Sequence, residues 1–247
     1  MEYIRVTKEN IDKEHICCAL SNNKDIQVMS KKDWLRDRYD DGLVFLKSIE
    51  RGKCFIEYIP AENAWNPIDG DGYMYIDCLW VSGSFKGHGY SNDLLEYCIS
   101  DSKQKGKKGL CVFCADKKKP FLADPKFLKY KGFRVCDKAD NGIELWYLPF
   151  DDMNEKPKFK ECARHVSIDE KGYVLYYTSQ CPFNAKYVPM LEDIAKEHNV
   201  PFKAIHITSK QEAQSVPTPV TTYALFYDGK YLTNEQMNVN KFLRLIK

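Results

Sequence analysis

The sequence predicts a protein of the α/β (α+β) class, with a mixed, mostly antiparallel sheet flanked by helices and then a smaller second α/β domain. Strand-like runs alternate with helix-like runs over residues 1–150, and a second series in the order β-α-β-α-β-β-α follows residue 160. Between the two series lies Asp151–Pro157, a polar stretch that ends in proline and indicates a linker over residues 151–160. We therefore expect a first domain at 1–150 and a second at 161–247.

The elements of the first domain are predicted from apolar periodicity, β-branched content and turn residues. The chain begins with a strand at Tyr3–Val6 and a helix that Thr7, Asn10 or Asp12 would cap, with apolar positions at Ile11, His15, Ile16 and Ala19. A second helical stretch includes Lys32–Tyr39 and ends at Asp41-Gly42, and a hairpin of Leu43–Glu50 and Lys53–Pro60 follows it. The remaining elements are a polar loop at Ala61–Gly72, a strand from Tyr73, a helix through Leu94 and Leu95, a strand at Leu110–Ala115, a short helix after Asp124 and strands that end at Ile143–Leu148. Neighbouring strands joined by tight turns indicate an antiparallel meander.

The second domain is predicted from the same signals, with Asp228-Gly229 as the turn of a hairpin. Its elements are a strand at Tyr173–Tyr177, an amphipathic helix at Pro182–His198, a strand at Phe202–Ile207, a short helix at Ser209–Ser215, a hairpin of Tyr223–Tyr227 and Lys230–Thr233, and a helix from Asn234 or Asn238 to Ile246.

Charge and composition exclude several classes of partner. The net charge is +2 and the sequence pI is about 7.9, so no strong field favours nucleic acid or an anionic membrane. No apolar run approaches the roughly 20 residues that span a bilayer, and Met1–Thr7 lacks signal-peptide character, so we expect a cytoplasmic protein. We expect the 10 cysteines to be reduced thiols, and Cys111 and Cys114 to be core residues of one strand rather than metal ligands. No metal is expected.

The stretch Tyr73–Leu95 carries the clearest functional signal. A strand rich in aromatic and β-branched residues runs through Gly83, Gly87 and Gly89 into a helix that Ser91, Asn92 or Asp93 would cap. Free backbone N–H groups and the helix dipole favour an anion at such a helix start. The pattern therefore predicts a phosphate or pyrophosphate site.

The run Val81–Leu95 resembles the acetyl-CoA pyrophosphate loop of GNAT acetyltransferases. The family pattern, Arg/Gln-x-x-Gly-x-Gly/Ala, falls on Lys86, Gly89 and Ser91, and two of these three residues depart from the usual ones. Gly132-Phe133 resembles the Gly-Phe of a later family motif. The resemblance covers residues 1–150, and it implies acetyl-CoA as co-substrate. It places the pyrophosphate on the loop, at Gly87, His88, Gly89, Tyr90, Ser91 and Asn92, and the pantetheine arm along Leu79, Trp80 and Val81.

The resemblance further implies direct attack of an amine on the thioester, with an amide of Leu79 or Trp80 as oxyanion donor. Many family members protonate the leaving thiolate with a tyrosine, but alignment on Gly132-Phe133 puts Leu128 there, with Tyr130 two residues away. Candidate general bases are Glu57 and Asp77, each alternatively an exposed strand carboxylate.

In the second domain, Cys181 follows a strand and opens a helix, an arrangement that resembles the redox motif of the thioredoxin fold. Asn184 stands where the second cysteine would be, and Val216-Pro217-Thr218 resembles the cis-proline segment that faces the motif. A thiol at a helix N-terminus tends to have a lowered pKa, so Cys181 is a candidate reactive thiol or a leftover cysteine. An acetyltransferase domain followed by such a tail is similar to bacterial YoaP-type proteins.

Three functions stay open from the sequence. The leading one is an acetyl-CoA-dependent N-acetyltransferase acting on a small-molecule or peptide amine. The second is an acyl-CoA-binding sensor or docking protein with weak or no catalysis, as the leucine at position 128 suggests. The third is a thiol-dependent protein centred on Cys181. The sequence does not determine the oligomeric state.

Overall fold

The computed structural model describes residues 1–152 and 155–246 of the chain, so Met153 and Asn154 of the predicted linker lie outside the described residues. Its strands are β1 (Tyr3–Val6), β2 (Val44–Ser48), β3 (Cys54–Pro60), β4 (Ile68–Asp69), β5 (Tyr73–Val81), β6 (Gly109–Cys114), β7 (Arg134–Lys138), β8 (Glu144–Pro149), β9 (Lys158–Phe159), β10 (Tyr173–Tyr177), β11 (Phe202–His206), β12 (Tyr223–Tyr227) and β13 (Lys230–Thr233). Its helices are α1 (Ile26–Arg38), α2 (Tyr90–Gln104), α3 (Pro125–Tyr130), α4 (Phe183–Glu197), α5 (Lys210–Ala213) and α6 (Val239–Leu245).

The larger sheet has the strand order β1-β2-β3-β5-β6-β8-β7. Its neighbouring strands in the described residues run antiparallel, except for the parallel pair of β5 and β6, which α2 connects. A parallel pair needs such a crossover, whereas an antiparallel pair such as β2 and β3 can be joined by a short turn. The predicted mixed and mostly antiparallel sheet is confirmed.

The two faces of this sheet pack against different partners. The back face, which includes Ile56 and Val112, forms one apolar core with Leu94 of α2 and Leu128 of α3. The front face belongs to a second core that extends into the C-terminal part of the chain, as far as Val174 and Phe226. Side chains of both parts of the chain therefore bury one another on the front face.

The smaller sheet has the order β11-β10-β12-β13, in which β10 and β11 are parallel and the other pairs antiparallel. One of its faces packs against α4 and α6 through residues such as Leu191 and Phe242, and the other contributes Val174 and Phe226 to the front-face core. The predicted order β-α-β-α-β-β-α is confirmed, while the thioredoxin-like assignment stays a prediction.

Two predicted details are wrong. Residues 8–13 form turns instead of a helix, although the Thr7 amide donates to Asn10 Oδ1, a contact of the kind that caps a helix start. The helix predicted to include Lys32–Tyr39 spans Ile26–Arg38, with Asp25 as its cap. No peptide bond between described residues is cis, so Pro217 does not supply the expected cis-proline.

The segment predicted as a linker is ordered at its C-terminal end. Its β9 pairs with β4, and Phe159 lies buried 5.5 Å from the ring of Phe113 on the front face. Phe159 thus anchors this end of the segment to the larger sheet. The division into domains at 1–150 and 161–247 stays a prediction. No helix in residues 1–152 or 155–246 is long and apolar enough to cross a bilayer.

Candidate functional site

The strands β5 and β6 separate halfway along their length. They pair from Tyr73 to Ile76, and beyond Ile76 β6 pairs only with β8 in the described residues. On its other side β5 has a bulge, since Tyr58 pairs with Ile76 and Glu57 with Cys78, leaving Asp77 as the extra residue. A bulge bends its strand and increases the twist, which accounts for the divergence. The half-buried segment Asp77–Val81 is thereby left without a strand partner on the β6 side.

The loop after β5 is anchored by the buried side chain of Phe85 and is open to solvent at its glycines. Phe85 is buried, and its ring lies so close to Gly52 that a Cβ there would come within 1.9 Å of Phe85 Cε2. Gly87 and Gly89 have φ angles of +88° and +80°, the left-handed region that favours glycine. A Cβ added at Gly87 would meet nothing within 4 Å, so the surface over the loop is open.

The helix start lacks the side-chain cap that the sequence predicted. Gly89 is the N-cap of α2 and no side chain caps the helix, so Ser91, Asn92 and Asp93 are not its caps. In the part of the chain that the structure describes, the backbone N–H groups from Gly87 to Ser91 make no hydrogen bond. These donors lie at the positive end of the dipole of the 15-residue helix.

The side chains around the loop also suit an anion. Lys86 and His88 are exposed, and the His88 ring stacks on that of Tyr90 with 5.5 Å between centroids. Asn92 Oδ1 is buried and makes no hydrogen bond, but as an acceptor it does not contribute to binding an anion. Open glycines and unpaired backbone N–H groups fit a pyrophosphate group.

The carboxylate of Glu57 is buried on the front face and is fully paired. Its side chain is 1% exposed and that of Lys31, on α1, is 2% exposed, with 2.6 Å between Lys31 Nζ and Glu57 Oε2. Trp34 Nε1 donates to Glu57 Oε1 at 3.3 Å. Burial, the largest single effect, lowers the pKa of Lys31, but the charge and hydrogen bond of Glu57 together with the other nearby acidic groups outweigh it and raise that pKa. The expectation of an exposed Glu57 carboxylate is wrong.

Asp77 lies beside this ion pair and contacts the C-terminal part of the chain. Its Oδ1 accepts a hydrogen bond from Gln180 Nε2 at 3.1 Å. The backbone carbonyl of Gln180 also accepts from Lys31 Nζ at 2.9 Å. Burial, then the negative charge of Glu57, raise the pKa of Asp77 well above its usual range, while Lys31 and the Gln180 hydrogen bond oppose the rise. The structure thus brings together both carboxylates that the sequence nominated as bases.

Cys181 lies near the same cluster, but its thiol is not activated. Burial raises its pKa to about 11, although the backbone amides of Phe183 and Asn184 at the helix start favour the thiolate. The predicted lowering at the helix N-terminus is therefore wrong, because the cost of burying the charge exceeds the gain from the amides. All ten cysteines are free, as predicted.

The tyrosine candidate lies away from this region. Tyr130, at the end of α3, is 79% exposed, and Leu128 is buried in the back-face core. The structure therefore does not bring Tyr130 together with Asp77 and the free edge of β5.

Sequence reasoning missed two residues of the cluster, Lys31 and Gln180. Lys31 had a signal, since Val28, Lys31, Trp34 and Leu35 follow helical spacing and put a lysine on the buried stripe of α1. A buried lysine must be paired with a negative charge. Gln180 had no such signal, because its partner Asp77 is 103 residues away.

Comparison with known proteins agrees with this architecture. Residues 9–119 match the acetyltransferase (GNAT) family and residues 201–244 match the YoaP-like family. The Bacillus subtilis (strain 168) protein described as "Uncharacterized N-acetyltransferase YoaP" is 43% identical over 247 residues, which covers 100% of this chain and 98% of that protein.

Solved structures show more distant likeness. A putative acetyltransferase from Salmonella typhimurium with acetyl-CoA has 15% identity and a TM-score of 0.45, covering 62% of this chain and 96% of that one. The Brucella melitensis ribosomal-protein-alanine N-acetyltransferase has 15% identity and a TM-score of 0.42, covering 61% and 100%. The family assignment does not rest on these structures, whose TM-scores are low, but on the full-length Bacillus subtilis relative. The chain belongs to the GNAT family of acetyltransferases and, over its whole length, to the YoaP type.

Proposed function

We propose that this protein transfers the acetyl group of acetyl-CoA to the amine of a small molecule or a peptide. The observation that carries the proposal is the free edge of β5 at Asp77–Val81, which leads directly into the open, amide-rich loop at the start of α2. One end of that path suits an anion and the other lies beside a buried acidic cluster. An extended cofactor with a pyrophosphate and a reactive thioester suits both ends.

The residues that would hold acetyl-CoA fall into two groups. Backbone amides from Gly87 to Asn92, with Lys86 nearby, would bind the pyrophosphate. The segment Leu79–Val81 has free main-chain groups that would pair with the amide-bearing arm, as an added strand does. Acetyl-CoA supplies an acetyl group activated as a thioester, and an amide of Leu79 or Trp80 would donate to its carbonyl oxygen.

The front-face cluster would receive the acceptor. A neutral amine nitrogen forms the bond to the acetyl carbon as the bond to the CoA sulfur breaks, and the nitrogen must then lose a proton. Asp77 is the better base of the two carboxylates, because Glu57 is already engaged by Lys31 and Trp34. A base works best when its pKa lies near the working pH, and the burial of Asp77 shifts its pKa upward from the usual acidic range.

Binding of acetyl-CoA tests the loop assignment. We expect Gly89→Val to weaken the affinity at least about tenfold, since a β-branched residue strains the left-handed backbone and crowds the phosphates. Gly106→Val is the matched control: Gly106 also has a positive φ, +66°, and open space around it, but it lies beyond the other end of α2. Equal affinities of the two variants, measured by titration calorimetry, would contradict the loop assignment.

Turnover separates the enzyme from a second candidate, a sensor that binds acyl-CoA without efficient chemistry. The buried Leu128 and exposed Tyr130 favour that candidate, because neither supplies an acid for the leaving thiolate. Release of free thiol from acetyl-CoA should be measured with a panel of small and peptide amines. Tight binding with no amine-dependent release would favour the sensor. Asp77→Asn should abolish release that the wild-type protein shows.

The third possibility, a function centred on Cys181, is less favoured because burial keeps its thiol protonated. The ten free cysteines support our proposal that the protein works in a reducing compartment such as the cytoplasm.

A further inference from the structure

The acidic cluster is built by both parts of the chain. Glu57 and Asp77 come from the larger sheet and Lys31 from α1, whereas Gln180 comes from the turn before α4. Gln180 makes two separate contacts: its backbone carbonyl accepts from Lys31, and its side-chain amide donates to Asp77. A continuous chain of hydrogen bonds therefore runs from Glu57 through Lys31 and Gln180 to Asp77.

We propose that Gln180 is a positioning residue of the acetyl-transfer site, which holds the Asp77 carboxylate in its ionised form and in place to accept the proton of the acceptor amine. The C-terminal part of the chain would then be a component of the active site. This inference rests on the proposed function. The inference extends the proposed function, because it assigns a role to Gln180, which lies outside residues 9–119, the part of the chain that matches the GNAT family.

The geometry singles out Gln180 among the groups near Asp77. The described structure gives Asp77 one hydrogen-bond donor, Gln180 Nε2. Lys31 favours the ionised form by its charge but donates its own hydrogen bonds to Glu57 and to the Gln180 carbonyl. Glu57 opposes the ionised form. The other titratable groups in electrostatic contact with Asp77 are Tyr75, Cys78 and Cys111, all kept neutral by burial.

Gln180 is itself buried, and its other side-chain atom, Oε1, makes no hydrogen bond. Burying an amide oxygen without a partner carries a free-energy cost, which a purely structural role would not explain. That cost is understandable if the amide is held in place by its contact with Asp77.

The test uses side-chain variants that keep the backbone contact to Lys31. Gln180→Met has a similar length and no donor, and Gln180→Asn is polar but one methylene shorter. Gln214→Met is the matched control, because Gln214 also joins the two parts of the chain, through Nε2 to the Ala64 carbonyl at 2.9 Å, away from Asp77. The Asp77 carboxyl is titrated by carbon NMR in the full chain, with Asp77→Asn for assignment.

A hydrogen bond to a charged group contributes about 1.5–3 kcal/mol, so losing it should change the Asp77 dissociation constant about 10- to 100-fold. We therefore expect both Gln180 variants to raise the Asp77 midpoint by about one to two pH units, and the Gln214 variant to leave it unchanged. In the Gln180 variants, the acidic limb of the pH profile of kcat/KM should move to higher pH together with the Asp77 midpoint. Their activity should return to that of the wild-type protein at high pH.

Two results would overturn the inference: an Asp77 midpoint that stays at the wild-type value in both Gln180 variants, or a loss of kcat/KM that is the same at every pH. The titration needs no acceptor, so it fails or succeeds independently of the amine panel. Absence of turnover by the wild-type protein contradicts the proposed function, whereas unshifted profiles with turnover contradict only the role of Gln180.

Discussion

The ion pair of Lys31 and Glu57 gives a prediction of stability that the structure makes quantitative. Both side chains are almost fully buried, and Lys31 Nζ lies 2.6 Å from Glu57 Oε2. Lys31→Met keeps the length of the apolar stem and removes the charge, which leaves a buried carboxylate with one remaining donor, Trp34. Removing one partner of a buried pair costs about 3–5 kcal/mol, so we expect a loss of that size in the free energy of unfolding at pH 7.

The matched control is Lys8→Met. Lys8 Nζ lies 2.6 Å from Asp40 Oδ2, but the two side chains are 46% and 82% exposed. An exposed pair of the same length contributes at most about 1 kcal/mol. The assay is urea unfolding followed by tryptophan fluorescence, which Trp34 beside the pair should report. Equal losses in the two variants would show that burial of the Lys31–Glu57 pair does not determine its contribution.

The double variant Lys31→Met, Glu57→Gln provides a second check of the same reasoning. It removes both charges, so most of the lost stability should return, although Gln180 loses its Lys31 donor. A double variant that is no more stable than Lys31→Met alone would contradict this.

Three further predictions follow from single contacts. Gly52→Ala should lower the free energy of unfolding by about 1–3 kcal/mol and weaken acetyl-CoA binding, because the added Cβ would displace Phe85, which packs against the loop. Urea unfolding measures the first effect and titration calorimetry the second. Iodoacetamide at pH 7.5 should alkylate the half-buried Cys181 at least about tenfold more slowly than the exposed Cys162, as followed by mass spectrometry. Burial raises the pKa of Cys181 to about 11, and it also raises the pKa of Cys162. Burial, and then the charge of Lys47, lower the pKa of His15 to about 4, so below pH 6.5 the unfolded chain binds more protons than the folded one and the folded state loses stability. His15→Gln should therefore reduce the loss in the free energy of unfolding between pH 6.5 and pH 4.5 by about 1–3 kcal/mol.

The sequence predicts those parts of the fold that local pattern determines. The hairpin of β12 and β13 across Asp228-Gly229 and the start of α6 at its Asn238 cap both follow from short-range turn and capping chemistry. The segment after Thr7 shows the limit, since its apolar spacing indicates a helix and the structure has turns at residues 8–13.

One part of the candidate site is also predictable from local sequence, and the other part is not. The loop from Lys86 to Asn92 has a glycine pattern that is visible in the sequence, and the structure gives it an open surface at Gly87 and free amides from Gly87 to Ser91. The cluster around Asp77 depends on a β-bulge and on Gln180, and both arise from long-range packing. The pKa of Cys181 was misjudged for the same reason, because a helix start is visible in the sequence and burial there is not.

The central claim is that acetyl-CoA lies along the free edge of β5, between the loop at the start of α2 and the carboxylate cluster. A crystal structure of the protein with CoA tests it most directly. The account predicts the pyrophosphate on the amides from Gly87 to Asn92, the pantetheine arm along Leu79–Val81, and the sulfur on the Asp77 side. CoA bound elsewhere, or a sulfur remote from Asp77, would contradict it.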